Sequence, residues 1–586
     1  MSVINPLPRP EYPRPTLVRS DWLNLNGTWR FRSDDEQVGL QDGWHREPLP
    51  DSEVITVPFA PNASASGITN CRTDSTIWYQ RDFELPLDWR FDRICLRFGA
   101  VDYRSMIFVN DTLAGEHVGG YSPFGIDIQH ALKPGTNRIT VRVEDSLSWT
   151  QPRGKQEGTT RWPIDYDGVC GIWQSVWVEP LPNVSIESIF PQFSASLSRL
   201  TCLVEFSRQV EGVLRIDLMK ANKVVATAES RTMNRAESRE ELVIDGPELW
   251  SPQNPHLYDL KIVLTTTSGQ QDIVESYCGL REVTVKKGLQ RLNGAPLYIR
   301  GILDQGYFPG GWYTATSDED LKRDIELTLA MGFNCVRKHQ KAEDPRYLYW
   351  ADKLGLLVWS EMPSGRVFST ELIHALTTEW LALVRRDRIH PSIITWVTFN
   401  ESWGVWHQSN RREQRAFVEG IVGLTQALDP TRPVVGNDGW EFSAGDLWTL
   451  HIYEEGSDLR SKIAELINKP ESSVTGGDEE DPRRRVGALP GTDIKDLPIL
   501  LTECGGIGFG QHGDNDFAYG DRAITQNQLE ERISDAVKIV LNTPNLQGYV
   551  WTQLTDIQQE INGLLYFDRS PKLPIDAMKK IFSQQP

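Results

Sequence analysis

Two glutamates, Glu401 and Glu503, each stand directly after a short apolar run. Glu401 follows Ile393-Ile394-Thr395-Trp396-Val397-Thr398-Phe399-Asn400, and Glu503 follows Ile499-Leu500-Leu501-Thr502. Runs of this length read as buried strands, and side chains at the C-terminal ends of strands in a closed parallel barrel face the barrel mouth. Two carboxylates that converge there can divide the work. One, protonated, assists a departing oxygen; the other, ionised, serves as nucleophile or base. Glycoside hydrolysis needs that pairing.

The flanking residues favour such a division. Glu401 is followed by Ser402-Trp403-Gly404-Val405-Trp406, and an apolar wall beside a carboxyl raises its pKa, which suits an acid. Glu503 is followed by Cys504-Gly505-Gly506, where glycine lets the chain turn sharply beside a ligand. An ionised Glu503 needs a cation or donor beside it. Arg337 and Tyr453, each close to the end of a predicted strand, are the candidates, with a plain salt bridge between strand tops as the alternative for Arg337. Further candidates for sugar contact stand at other strand ends: Asn400, Asp304, Gln305, Glu361, Trp403, His451 and Trp551, with His339 just past Arg337. The stretch Tyr307 to Trp312 adds an aromatic loop able to stack on a pyranose face.

Positioning these groups requires a barrel, and the last 300 residues have its pattern. Apolar strands are expected at Leu297–Leu303, Phe333–Arg337, Leu356–Ser360, Ile393–Phe399, Pro433–Gly436, Leu447–His451, Ile499–Thr502 and Gly548–Thr552. Helical patterns intervene, such as Asp318–Met331 with an acidic first turn and Pro345–Lys353. Eight βα units over residues 288–586 predict a C-terminal (β/α)8 TIM barrel. Residues 454–496, rich in Gly, Pro and charge, are expected to form a long irregular excursion. Upstream, residues 1–183 alternate short apolar runs with Asn, Gly, Pro and Asp, as in a jelly-roll β-sandwich. Residues 184–287 have the length and strand pattern of an immunoglobulin-like β-sandwich, without the cysteine spacing of a true immunoglobulin domain. The fold class is multidomain β and α/β.

Bulk properties narrow the partners. A chain of 586 residues exceeds one core and predicts about three to four domains. A net charge of −19 gives no support to a nucleic-acid or anionic-membrane partner, and no apolar run is long enough to span a bilayer. Seven scattered cysteines without a CxxC pair argue against a disulfide framework and a cysteine zinc site. With no apolar signal segment at Met1–Pro10, the expectation is a cytoplasmic protein. Oligomeric state is left open, a homo-oligomer included. Glu361, His390, His407 and Glu401 lack metal-binding spacing, so no metal or cofactor is required.

The segments Asn400-Glu401-Ser402-Trp403, Thr502-Glu503-Cys504-Gly505-Gly506 and Trp551-Thr-Gln-Leu-Thr-Asp-Ile-Gln-Gln-Glu-Ile-Asn-Gly563 resemble glycoside hydrolase family 2, which holds β-galactosidases, β-glucuronidases and β-mannosidases. Leu25-Asn26-Gly27-Thr28-Trp29-Arg30-Phe31 and Gly171-Ile172-Trp173-Gln-Ser-Val-Trp-Val resemble that family's sugar-binding jelly roll. The resemblance runs along essentially the whole chain. It implies an exo-acting retaining β-glycosidase, with Glu401 as acid/base and Glu503 as nucleophile roughly 5 to 5.5 Å apart. Its substrate would be a glycoside or oligosaccharide. Some members use magnesium or sodium, but no ligand set carries over. On the sugar, this sequence departs from the family's patterns. β-Glucuronidases place an Asn-x-Lys carboxylate receptor near strand eight, whereas Gln553 to Arg569 holds no lysine. The expectation is therefore a β-galactosidase-type enzyme. Lys338, Lys341 and the displaced His339, or Arg153, Lys155 and Arg161 from jelly-roll loops, keep β-glucuronidase and furanosidase or arabinosidase as alternatives. A non-catalytic carbohydrate-binding protein is the contrasting class.

Overall fold

The computed structural model describes residues 7–69, 75–89, 91–157, 162–475, 484–510, 513 and 516–586. Cys71, Arg161 and Glu479 to Pro482 lie outside the described residues. The chain folds as expected into two β-sandwiches followed by a parallel barrel.

In the first sandwich a six-stranded sheet runs in the order Glu53–Val57, Gly27–Ser33, Thr76–Phe83, Asn137–Glu144, Arg104–Val109, Thr112–Val118. It faces a four-stranded sheet built from Leu23–Asn24, Val176–Leu181, Arg93–Phe98 and Phe124–Asp127. Their shared core includes Trp29, Phe31, Tyr79, Leu96, Ile107 and Val178. The second sandwich pairs a three-stranded with a four-stranded sheet between Ile186 and Cys278. Its strand Tyr258–Thr266 shows the cause: Tyr258, Leu260, Ile262 and Leu264 are buried at a spacing of two, while the residues between them are more exposed.

The barrel strands are β1 (Ile299–Asp304), β2 (Cys335–Lys338), β3 (Leu357–Glu361), β4 (Ile393–Val397), β5 (Val434–Val435), β6 (Trp448–His451), β7 (Ile499–Gly505) and β8 (Leu546–Thr552). All eight expected strands are present, with β5 reduced to two residues. They are parallel and ordered β5-β4-β3-β2-β1-β8-β7-β6. Residues of β2, β3 and β4 are buried throughout, as expected of strands with a filled interior on one face and helices on the other. No backbone ladder joins β5 to β6 among the described residues. Side chains close that seam, with Gly439 N–H donating to Thr449 Oγ1 at 3.1 Å and Asp438 reaching His451.

Among the described residues seven helices accompany the strands: α1 (Asp318–Ala330), α2 (Pro345–Leu354), α3 (Thr370–Asp387), α4 (Arg412–Leu428), α5 (Gly456–Asn468), α6 (Gln526–Leu541) and α7 (Ile575–Phe582). Their starts follow local chemistry. Ser317 and Asp320 form a reciprocal capping box on α1, and Asp344 caps α2 with Pro345 in its first turn. Helix α5 corrects the expectation of irregular chain from 454. Leu459, Ile463 and Leu466 are buried at helical spacing, and that signal was masked by the charged and glycine-rich residues around it.

The jelly roll docks on the barrel mouth. The backbone N–H groups of Arg153 and Gly154 donate to Ser364 O, Arg366 pairs with Asp165 at 2.5 Å, and Gln558 donates to Asp167 at 2.9 Å. Gly154 has φ +61°, and a Cβ there would stand 2.1 Å from Gln340 O. Only glycine allows this loop to approach so closely.

Candidate active site

Glu401 lies just past β4 in a tight turn. Glu401 and Ser402 both occupy the left-handed region, with φ of 51° and 60°. Such conformations cost about 1–3 kcal/mol each and persist only where neighbours hold them. Here Glu401 N–H donates to Asp438 O, Ser402 N–H to Asn437 Oδ1, and Ser402 Oγ to Glu441. Glu503 is aimed by irregular strand pairing. Register slips at Leu450/His451 and between Leu501 and Cys504 place His451 opposite Glu503 on the neighbouring strand. As a result Glu401, His451 and Glu503 each offer an atom within 4.8 Å of the others.

Arg337 is the hub beneath them. Its fully buried guanidinium reaches Glu503 Oε1 at 2.9 Å, Asp438 Oδ2 at 2.6 Å, Glu361 Oε2 at 2.7 Å and Asn400 Oδ1 at 2.7 Å. Tyr453 donates its hydroxyl to Glu503 Oε2 at 2.5 Å and stacks flat on Tyr519, with ring centroids 3.6 Å apart. Gly506 lies against both rings: a Cβ at its φ of +66° would sit 2.4 Å from Tyr519. His451 bridges the pair, with Nδ1 2.8 Å from Glu401 Oε1 and 3.5 Å from Glu503 Oε2, and Nε2 2.9 Å from Asp438.

This arrangement splits the two carboxyls. Burial pushes Glu401 up, and the neighbouring Glu503 charge adds to the rise, with His451 only partly opposing them. Glu503 goes the other way: burial would raise it, but the cations of His451 and Arg337 hold it below the ordinary 4.5. Burial also works against a charged His451, yet Glu503 and Asp438 beside it push it up to about 10. The ring is therefore an imidazolium near neutral pH. The site thus pushes one carboxyl up and the other down, with a cation between them.

The other expected residues separate into two groups. Asn400, Arg337, His451, Tyr453 and Glu361 join the carboxyl pair, Glu361 beneath it as a partner of Arg337. His339 stands 4.0 Å from Glu503 and 3.0 Å from Glu361 at an angle that makes no hydrogen bond. Burial, with Lys155 and Arg337 nearby, presses its pKa well below 6.5, so it is neutral. Asp304 is instead committed to a buried ionic cluster, paired with Lys338 at 2.5 Å; Lys338 also meets Glu343 at 2.6 Å, and Lys341 meets Glu343 at 2.9 Å. Lys338 and Lys341 thus face neither the sugar nor the acidic surface. Gln305 donates to Gln553 at 3.0 Å. Trp403 carries Arg366 over its ring at 3.7 Å, which ties it to the jelly-roll contact. Trp551 packs on Gly505 and edge-on to Phe582 of α7. Arg153 is buried and paired with Glu157 at 2.7 Å.

Four groups escaped the sequence reading: Asp438, Tyr519, Glu560 and Asn562. Asp438 follows a two-residue strand too short to mark a strand end. Tyr519 lies far from any predicted strand. Glu560 and Asn562 belong to the quoted segment after β8 but could not be placed without its fold. They continue a chain of contacts in which Gln553 donates to Asn562 Oδ1 at 2.8 Å and Asn562 to Glu560 Oε1 at 3.0 Å.

Glu401, His451 and Glu503 are close enough to be considered as cation ligands, but the donor set does not fit. Both His451 nitrogens face carboxylates and the ring carries its proton, whereas a metal needs a deprotonated nitrogen. A separate cavity of about 280 Å³, lined by Arg14, Arg97 and Arg386 among others, lies where the three domains meet and contains none of these groups.

The comparisons with known proteins agree along the chain. Residues 23–182 match the glycosyl hydrolases family 2 sugar binding domain, 188–281 the family's middle domain, and 283–475 its TIM barrel domain. Glu503 lies beyond the last of these. A β-glucuronidase from Felis catus is 27% identical over 490 residues, spanning 74% of this chain and 71% of that protein. One from Paenibacillus borealis is 25% identical over 465 residues, spanning 72% and 74%. The solved Ruminococcus gnavus β-glucuronidase in complex with D-glucuronic acid superposes with TM-score 0.78 at 21% identity, covering 98% of this chain and all of that one, and so shares the fold. Three consecutive domain matches in the family's order, together with the barrel and sandwiches observed, establish that the chain belongs to glycosyl hydrolases family 2 and is a glycoside hydrolase.

Proposed function

We propose that the chain is a retaining exo-β-glycosidase acting on terminal β-D-glucuronides, with Glu401 as acid/base and Glu503 as nucleophile. The observation that carries the sugar is the identity of the relatives: β-glucuronidases from mammals and a bacterium align over 70–74% of this chain. The chemistry rests on the opposed environments of the two carboxyls. His451 donates from Nδ1 to Glu401 Oε1, which leaves Oε2 to deliver the proton to the departing glycosidic oxygen. Glu503, oriented by Arg337 and Tyr453, attacks the anomeric carbon and forms a glycosyl-enzyme. Glu401, now ionised, then takes a proton from water as that water releases the sugar with its configuration retained. Carboxyl atoms within 4.8 Å of one another suit direct attack, where an inverting pair stands farther apart. The jelly-roll loop across the mouth suits a pocket for terminal sugars.

A second reading, a neutral β-galactopyranoside, draws on Glu560 and Asn562, which stand after β8 where an Asn-x-Lys receptor would be sought. Release of nitrophenol from β-glucuronide, β-galactopyranoside, β-glucopyranoside, β-mannoside, β-galactofuranoside and α-L-arabinosides at matched concentration decides between them. The glucuronide should dominate kcat/KM; a dominant galactopyranoside would overturn the sugar assignment.

The pH dependence is a separate expectation. Activity needs Glu503 ionised and Glu401 protonated, so kcat/KM should be bell-shaped, with an acid limb below 4.5 and an alkaline limb above it. The limbs belong to the coupled pair. His451→Gln removes a cation that lowers both carboxyls, so both limbs should move to higher pH. Limbs that stay fixed or move apart would count against the role given to His451.

A further inference from the structure

Lys155 stands out among the charged groups near the barrel mouth. It comes from the jelly roll, on the loop held against the barrel by Gly154, Asp165 and Asp167, and it is only 6% exposed. Its ammonium lies 3.9 Å from Glu560 Oε2, beyond hydrogen-bond reach, and 5.7 Å from the centre of the Tyr166 ring. Among the described residues it has no other ion pair and donates no hydrogen bond. An ammonium carries three donors, and at the end of a largely buried side chain it is placed to bond an incoming acceptor.

The surrounding groups show which way this charge faces. Lys155 bears on Glu401, just past β4, and on His339, just past β2, and it adjoins Glu560 after β8. It therefore sits over the mouth between three strand tops. Glu560 is otherwise engaged, accepting from the Tyr166 hydroxyl and from Asn562. Lys338 and Lys341 are consumed by their buried cluster, Arg153 by Glu157, and Lys572 by Asp556 at 2.6 Å. Arg337 is surrounded by its carboxylates. Of the described lysines near the mouth, Lys155 alone keeps all its donors free for a ligand.

We propose that Lys155, supplied by the jelly roll, is the specificity-determining residue that receives the substrate's carboxylate, in place of a lysine on the barrel. The proposal rests on the β-glucuronide reading. A uronate oxygen within reach of Lys155 would gain charge-assisted hydrogen bonds. Glu560 then has a defined effect: its charge holds Lys155 at rest and competes with the incoming carboxylate. Exchange of the barrel receptor for a jelly-roll one would explain how the segment from Gln553 to Arg569 can lack lysine.

The test is the ratio of kcat/KM on nitrophenyl β-glucuronide to that on nitrophenyl β-glucopyranoside. Lys155→Met should lower this ratio by about 30-fold to several thousand-fold, chiefly through KM for the glucuronide. Lys155→Arg should recover part of it. Glu560→Gln should lower KM for the glucuronide, because it removes the competing charge. Circular dichroism and thermal melting identify variants that fail to fold, and the Arg and Gln variants then carry the measurement. A ratio unchanged in Lys155→Met, or equal losses on both substrates, would overturn the role of Lys155 while leaving a glucuronide-preferring wild type intact. A wild type that prefers galactopyranoside would overturn the glucuronide reading directly, and the Lys155 proposal with it.

Discussion

Replacing Glu503 by alanine is expected to lower kcat on an activated aryl β-glycoside by at least about 10⁴-fold, because removal of a covalent nucleophile leaves only binding and electrostatics to act. Azide should restore part of the rate, since the deleted side chain leaves space for a small anion beside Arg337 and His451. The product should be the α-glycosyl azide, formed by one displacement in place of two. Glu401→Ala should behave differently. On substrates with good leaving groups its first step is less affected, and azide should give the β-glycosyl azide, because it replaces water at the glycosyl-enzyme. Chiral analysis of the two azides therefore assigns both residues in one experiment. A β-azide from the Glu503 variant would exchange the roles; unchanged rates in both variants would remove the site from this barrel mouth.

Arg337→Met is expected to have the next largest effect. This guanidinium is completely buried and touches Glu503, Asp438, Glu361 and Asn400 at once. Breaking a buried ion pair by removing one partner costs about 3–5 kcal/mol, which corresponds to a loss of about 10² to several 10³ in rate if it falls on the transition state. Part should appear as lost stability. Glu503 is held below its ordinary pKa in the folded protein, so its stabilising contribution is present above 4.5 and fades as pH falls through the folded value. Without Arg337 that contribution shrinks, and the acid limb of activity should move upward. Arg337→Lys should be intermediate, because a single ammonium cannot reproduce the fork. Unfolding midpoints at pH 5 and 7, with kcat/KM, check this. A Met variant of near wild-type activity would reduce Arg337 to a tie between strand tops.

Much of this architecture is legible in the sequence because it follows from local periodicity. Alternation at a spacing of two marks the sandwich strands, and continuous apolar runs mark β1 to β8. A strand with both faces buried needs no polar residue until it reaches the mouth, so Glu401 and Glu503 stand out at their strand ends. Helix α5 was obscured because its three apolar anchors sit in a charged context. Strand β5 was overextended because two residues of pairing are enough where side chains close the barrel.

The sequence by itself therefore determined the domain order, the barrel and the two carboxylates. Their chemical difference was decided by tertiary structure. How far Glu503 is held down depends on His451, brought opposite it by a slip in strand register, and on Arg337, whose guanidinium collects groups from four strand ends. The fate of the lysines was decided in the same way. Lys338 and Lys341 lie next to His339 in the chain yet are absorbed by Asp304 and Glu343, while Lys155, from another domain, is set among the strand tops. Spacing along a chain carries strand and helix periods. The charge felt by a buried group depends on neighbours within a few ångströms, and those come from residues tens to hundreds of positions away.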